Sequence, residues 1–256
     1  FEYTVQRGLL TGMRRHGGLG FVPGWIGSPI TDEDRFWMAL ALDGKVVYDI
    51  GAFEGLLSLY FATRASRVIS FEPMPRNRTR FLRNLELNAI RNVEVRPVGL
   101  SDAPGELEFA SLGLMPGGTS ADPEVAAGIH GGGPVITARV PVTTLDAERA
   151  AQGLPLPDFV KVDVEGMEAA VLRGARELVA ACRPTIYLEL HGDTIRQKRR
   201  KTAELISVLR DELGYPSVVH VEARRSVVPA DAETLFEGHL FAQGTSIPWP
   251  SSLPLS

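Results

Sequence analysis

Short apolar runs alternate with helix-patterned segments along most of this chain, and that alternation limits the folds open to it. Val46-Val47-Tyr48, Val68-Ile69-Ser70-Phe71, Val93-Glu94-Val95, Phe159-Val160-Lys161-Val162 and Thr185-Ile186-Tyr187-Leu188 each read as a short, buried strand. Between them, residues 55–65, 75–89, 166–181 and 195–213 carry helical spacing. The second of these is strongly amphipathic, with Phe81, Leu82, Leu85 and Leu87. Strand, helix and strand in repetition need crossover connections, so a mainly parallel sheet with helices on both faces is expected. A length of 256 residues suits one such α/β domain with short additions rather than two domains.

Two segments break the rhythm. Glu106-Leu107-Glu108-Phe109 and Val135 to Val140 read as an antiparallel β insertion. The Gly-, Pro- and Ser-rich stretch at 112–134, with Gly117-Gly118 and Gly131-Gly132-Gly133, is longer than a structural connection needs and is expected to be a lid loop. Residues 1–30 read as a loop-rich arm carrying Arg14, Arg15 and His16. Thr31 before Asp32-Glu33-Asp34 is a helix start, a capping hydroxyl followed by acids that the helix dipole favours; Gly44 ends that helix. Val218 to Val221 and His239 to Ala242 would close the sheet as a hairpin, and the Pro- and Ser-rich end is expected to be loose. The expected divisions are an arm and helix at 1–43, the main domain at 44–244 and a tail at 245–256.

Composition narrows the partners. The formal charge is −4 and the pI about 5.8, a balance unsuited to coating nucleic acid electrostatically. Hydrophobic residues at 44 % and charged residues at 23 % favour a packed core over disorder. The single cysteine, Cys182, allows no intramolecular disulfide and no zinc site of several cysteines, and a reducing compartment, the cytoplasm, is the expectation. No apolar run approaches the roughly 18–20 residues that cross a bilayer, so no membrane partner is expected. The chain opens on Phe1 rather than methionine, as it would if it began inside a longer gene product.

The chemistry concentrates at strand tips. Asp49-Ile50-Gly51-Ala52-Phe53-Glu54-Gly55 follows the first strand and opens a helix, in the form D-x-G-x-x-x-G. The glycines permit a tight turn and let a ligand lie against backbone and helix N-terminus. An acid at this tip would repel a pyrophosphate and attract a ligand with an ammonium group, which S-adenosylmethionine has. Glu72, in Phe71-Glu72-Pro73, stands 23 residues after Asp49 at the second strand's tip, where a carboxylate accepts from two ribose hydroxyls. Asp49, Gly51, Phe53, Glu54, Gly55, Glu72 and Pro73 are therefore candidate cofactor contacts. Ser101 and Asp102 after the third strand would meet an adenine, and Asp163 at the fourth strand's tip would reach the methionine end.

These motifs resemble the FkbM family of methyltransferases. The resemblance rests on Val46 to Ala52, Phe71-Glu72-Pro73 with Asn77 and Asn84, Ser101-Asp102, Asp146 in Thr-Thr-Leu-Asp, and Lys161-Val-Asp-Val-Glu-Gly-Met-Glu168. It implies a class I methyltransferase Rossmann-like fold with a mostly parallel seven-stranded sheet. It also implies S-adenosylmethionine as cofactor and a hydroxyl on a sugar or secondary-metabolite scaffold as acceptor.

For the transfer itself, His191, Asp163 and Glu189 are the candidate catalytic residues, all at the carboxyl edge of the sheet. His191 is the expected base, because its intrinsic pKa lies near neutrality. Asp163, Glu165, Glu189 and His191 together have the donors for magnesium; a reaction without metal is the expectation. An RNA or N-methyltransferase, a non-catalytic adenosylmethionine-binding module and a dehydrogenase are the rival readings.

Overall fold

A computed structural model describes residues 1–16, 30–112, 119–120 and 135–255. The expected lid at 112–134 lies outside the described residues, apart from Leu112 and a two-residue strand. Residues 17–29 of the arm lie outside them too.

The chain opens with β1 (Glu2–Thr4) and β2 (Arg14–His16), paired antiparallel, and helix α1 (Asp32–Ala39). Alternation then begins: β3 (Val46–Ile50), α2 (Leu56–Ala62), β4 (Arg67–Phe71), α3 (Pro75–Leu87) and β5 (Val93–Arg96). The insertion follows as β6 (Gly99–Leu100), β7 (Gly105–Leu112), β8 (Thr119–Ser120) and β9 (Val135–Thr143). Helix α4 (Leu145–Gln152) leads back to β10 (Phe159–Val162), then α5 (Glu168–Arg173), α6 (Arg176–Cys182), β11 (Thr185–Glu189) and α7 (Ile195–Ser207). β12 (Val218–His220), β13 (Arg225–Ser226) and β14 (His239–Ala242) complete it.

The main sheet has the order β13-β12-β14-β11-β10-β3-β4-β5. Its five strands from β11 to β5 run parallel, and the closing strands β12 and β14 pair antiparallel. The seven expected strands are present, and β13 adds a two-residue edge. The order runs outward from β3 through β4 to β5, then returns to β10 on the other side of β3. Such a reversal opens a crevice at the carboxyl ends of the two central strands. The insertion forms a second sheet, in which β7 and β9 pair Leu107 with Val140 and Phe109 with Ala138.

Side chains alternate across the main sheet. Val47, Val68, Phe159, Tyr187 and Phe241 face one core, which Phe36 and Trp37 of α1, Phe61 of α2 and Phe81 of α3 cover. Tyr48, Ile69, Val160, Ile186 and Leu240 face the other, covered by α5, α6 and α7 through Leu172, Leu178 and Leu205. Thr31 caps α1 as expected: its hydroxyl accepts from Asp34 N–H (3.0 Å), and its own N–H donates to Asp34 (2.9 Å).

Both chain ends differ from the sequence reading. The arm is a β-hairpin held on α3: Asn88 bonds both the N–H and the carbonyl of Arg14, and Asn84 accepts from His16 N–H. The tail is packed rather than loose. Ile247 is buried, its carbonyl accepts from the Thr185 hydroxyl, and Trp249 stacks edge-on to Phe241. A low-complexity stretch looks disordered in sequence because nothing local shows that the main sheet supplies its apolar partners. Among the described residues, no helix is long and apolar enough to cross a membrane.

Trp37 sits at the centre of the first core, with ring centroids of Tyr187, Phe61 and Phe159 within 4.3, 5.5 and 6.2 Å. Trp37→Ala should cost about 3–5 kcal/mol, read as a lower midpoint in urea unfolding.

Candidate active site

Lys161 lies near the end of β10, on the face it shares with Phe159. It is 5 % exposed, yet it carries a charge. Its Nζ donates to the Gly51 carbonyl at 3.1 Å and stands 3.3 Å from Asp49 and 3.2 Å from Asp163. Burial alone would drive the proton off; the two carboxylates more than offset that and raise the lysine pKa. One ammonium thus ties the tip of β3 to the tip of β10.

This pairing places Asp49 differently from expectation. Asp49 is fully buried, with one carboxylate oxygen on Lys161 and the other accepting from Ser58 Oγ at 2.5 Å. It does not line the cleft, so it offers no open charge to a ligand ammonium. Gly51 and Gly55 also have internal reasons to be glycine. At φ 78° a Gly51 Cβ would lie 1.8 Å from the Asp163 carbonyl oxygen, and at φ 83° a Gly55 Cβ would lie 2.1 Å from the Phe81 ring.

The crevice between these tips holds a cleft of about 900 Å³, part of it open to solvent. Gly51, Phe53, Pro73, Glu72, Asp163 and Glu165 line it. So do Met74, Asn77, Leu100, Leu107, Phe109 and Met167, none of which was a candidate from sequence. Leu107 and Phe109 are two apart on β7, the one signal that both face the same way.

Glu72 is 4 % exposed, and its carboxylate accepts from Phe53 N–H, Met74 N–H and the Asn77 amide at 2.8, 2.8 and 3.2 Å. Burial outweighs those bonds and pushes its pKa up to about 7. Two bonds reach one oxygen and one reaches the other, so the carboxylate keeps acceptor capacity.

Glu54, expected near a ligand, points away. Its buried carboxylate lies between Arg15 (3.4 Å) and Arg80. Ser101 and Asp102 miss this cleft as well. After β5 the chain joins the second sheet through β6, and Ser101 N–H donates to Thr143. Asp102 then borders a separate depression beside Asp146 and Arg173. Asp146 itself accepts from Glu177 and Leu178 N–H at the start of α6, a structural role.

Beyond the cleft, His191 stands among carboxylates. Its Nδ1 is 2.8 Å from buried Glu168, and Nε2 is 3.5 Å from Glu165, 3.6 Å from Asp163 and 3.8 Å from Glu189. Burial would lower its pKa, but the Glu168 bond and the surrounding charges raise it to about 10. The sequence gives His191 an intrinsic pKa near neutrality, whereas these neighbours favour its protonated form. Asp163 is raised by burial but lowered further by Lys161 and His191. Glu165 is raised, by burial first and then by Asp163 and Glu189 against the pull of His191. Donor atoms of Asp163, Glu189 and His191 lie within 4.8 Å of one another.

The family model described as Methyltransferase FkbM domain matches residues 49–217, which takes in the turn, Glu72, the β10 tip and His191. Methyltransferase sdnD of Sordaria araneosa is 30 % identical over 156 residues, covering 51 % of this chain and 60 % of that protein. Hexuronic acid methyltransferase AglP of Haloferax volcanii is 25 % identical over 191 residues, covering 71 % and 73 %. The crystal structure of methyltransferase FkbM from Methylobacillus flagellatus aligns with 19 % identity and a TM-score of 0.40, over 58 % of this chain and 33 % of that one. The chain spans less than two thirds of the length of the Sordaria and Methylobacillus proteins.

An imidazole whose pKa rises from 6.5 to about 10 on folding stabilises the fold fully below about pH 6.5, and loses that contribution as pH climbs toward 10. Unfolding midpoints should therefore fall across that window, and His191→Gln should flatten the fall. Parallel pH profiles for the two proteins would refute the protonated imidazole.

Proposed function

We propose, for a chain that belongs to the FkbM family of S-adenosylmethionine-dependent methyltransferases, that the acceptor is a hydroxyl group on a small molecule such as a sugar or secondary-metabolite scaffold. The observation that carries the reading is the cleft at the β3–β10 switch point. It combines a buried carboxylate with spare acceptor capacity, an apolar wall and two further carboxylates. Glu72 suits the ribose hydroxyls. Leu100, Leu107 and Phe109 suit a flat adenine, in place of Ser101 and Asp102. Asp163 suits the amino-acid end.

When bound, the donor supplies an electrophilic methyl on a good leaving group. The protein's part is to hold the acceptor oxygen in line with that methyl and to receive its proton. Glu165 is the proton acceptor in this reading: it lines the cleft, and burial makes it a stronger base than an ordinary glutamate. His191 keeps its proton and orients the carboxylates around it; Glu189 shares in holding that imidazolium. A net charge of −4 and acids at the cleft disfavour a phosphate-rich acceptor such as RNA. AglP, named for hexuronic acid, supports a sugar as the acceptor.

Methyl transfer from labelled donor, run against hydroxylated metabolites, amines and RNA, should label a polyol or sugar; labelling confined to RNA or amines would overturn the proposal. On the accepted substrate, Glu165→Gln should lower turnover by about 10²- to 10⁴-fold and leave S-adenosylhomocysteine affinity within a few-fold. Near-normal turnover would remove Glu165 from the role.

Ribose hydroxyls donate best to an ionised carboxylate, and Glu72 protonates at about pH 7. Calorimetry should show S-adenosylhomocysteine binding weaken by up to about tenfold per unit as pH drops below 7. Glu72→Gln should bind weakly at every pH, without that slope.

A further inference from the structure

The hairpin at residues 2–16 lies outside the stretch that matches the family, residues 49–217. It is nonetheless tied to the turn that shapes the cleft. Arg15 is 9 % exposed and reaches the buried Glu54 carboxylate at 3.4 Å, while Arg80 of α3 holds the other oxygen. Asn84 joins the same two parts: its oxygen accepts from His16 N–H at 2.7 Å, and its amide donates to the Glu54 carbonyl at 3.0 Å. At the outer end, Glu2 pairs with Arg14 and Arg83.

Glu54 neighbours Phe53, which lines the cleft in a left-handed conformation at φ 54° and donates its N–H to Glu72. A continuous set of contacts thus runs from Arg15 through Glu54 and Phe53 to the Glu72 carboxylate. Without Arg15, one oxygen of a carboxylate that is 2 % exposed loses its cation. The carboxylate would then rest on Arg80 of α3 alone and turn toward it, and Phe53 N–H, next in the chain, would move with it.

Resting on the donor-site reading above, we propose that the N-terminal hairpin is part of the donor-binding machinery. Arg15 is its positioning residue and holds the 51–55 turn in the shape that presents Phe53 and Glu72. Coupling of this kind is reciprocal: what the arm does for the donor, the donor does for the arm.

Two measurements test it, both on the whole chain. In calorimetry, Arg15→Ala should weaken S-adenosylhomocysteine binding about tenfold, and Arg15→Lys should recover most of the loss. In hydrogen exchange of the parent, saturating S-adenosylhomocysteine should slow the amides of Val5 and Gly12, which bond across the hairpin to Met13 and Val5 at 2.8 Å. This second measurement needs no variant, so a misfolded Arg15→Ala leaves the proposal exposed to refutation. If the parent binds and hairpin exchange is unchanged, or if Arg15→Ala binds as tightly as the parent, the coupling is wrong. If the parent binds no S-adenosylhomocysteine, the donor reading falls and takes the coupling with it.

Discussion

The pairing of Lys161 with Asp49, Asp163 and the Gly51 carbonyl sets the geometry on which the site depends. Two acids stand near each other at the ends of adjacent strands, and Asp49 is fully buried. The Lys161 ammonium lies between them, 3.3 Å from one and 3.2 Å from the other. With it, the β3 turn and the β10 tip approach so closely that Gly51 has no room for a Cβ. The same ammonium also holds Asp163, which is half-buried and lines the cleft. Replacing a lysine of this kind would leave the fully buried Asp49 without its cation rather than merely remove a contact.

The cleft exists because the order of the parallel strands reverses at β3 and β10, which parts the connecting loops. Its floor comes from strand tips, but its walls come from elsewhere. Glu72 and Met74 precede α3, while Leu107 and Phe109 reach in from the second sheet. The insertion that interrupts the alternating pattern is therefore a wall of the site.

A second layer of charge surrounds the first. His191 is held by Glu168 from behind and faces Asp163, Glu165 and Glu189. A protonated imidazole keeps these carboxylates close together in a half-buried place where they would otherwise repel one another. Burial, and with it the neighbouring carboxylates, lifts the Glu165 pKa above that of an ordinary glutamate. The neighbours of this histidine, more than its own intrinsic pKa, set its protonation.

What the sequence determined by itself is local. Strand and helix order, the Thr31 cap, the turn after β3 and the place of Glu72 follow from spacing, side-chain branching and short-range hydrogen bonds, all of which act within a few residues. Even the insertion was visible, as a failure of that spacing. Tertiary structure decided which of the marked residues line the cleft. Asp49 and Glu54 carry the right charge at the right tip, yet Lys161 and Arg15, each far away in sequence, draw them inward. Asp102 follows its strand as expected, yet β6 pairs with β9 and carries it past the cleft. The tail has a composition that suggests disorder, yet Ile247 and Trp249 find apolar partners on the main sheet. In each case the deciding contact spans tens of residues. A side chain's charge, pKa and burial depend on what the fold brings beside it, and the residues flanking it in the chain carry little of that information.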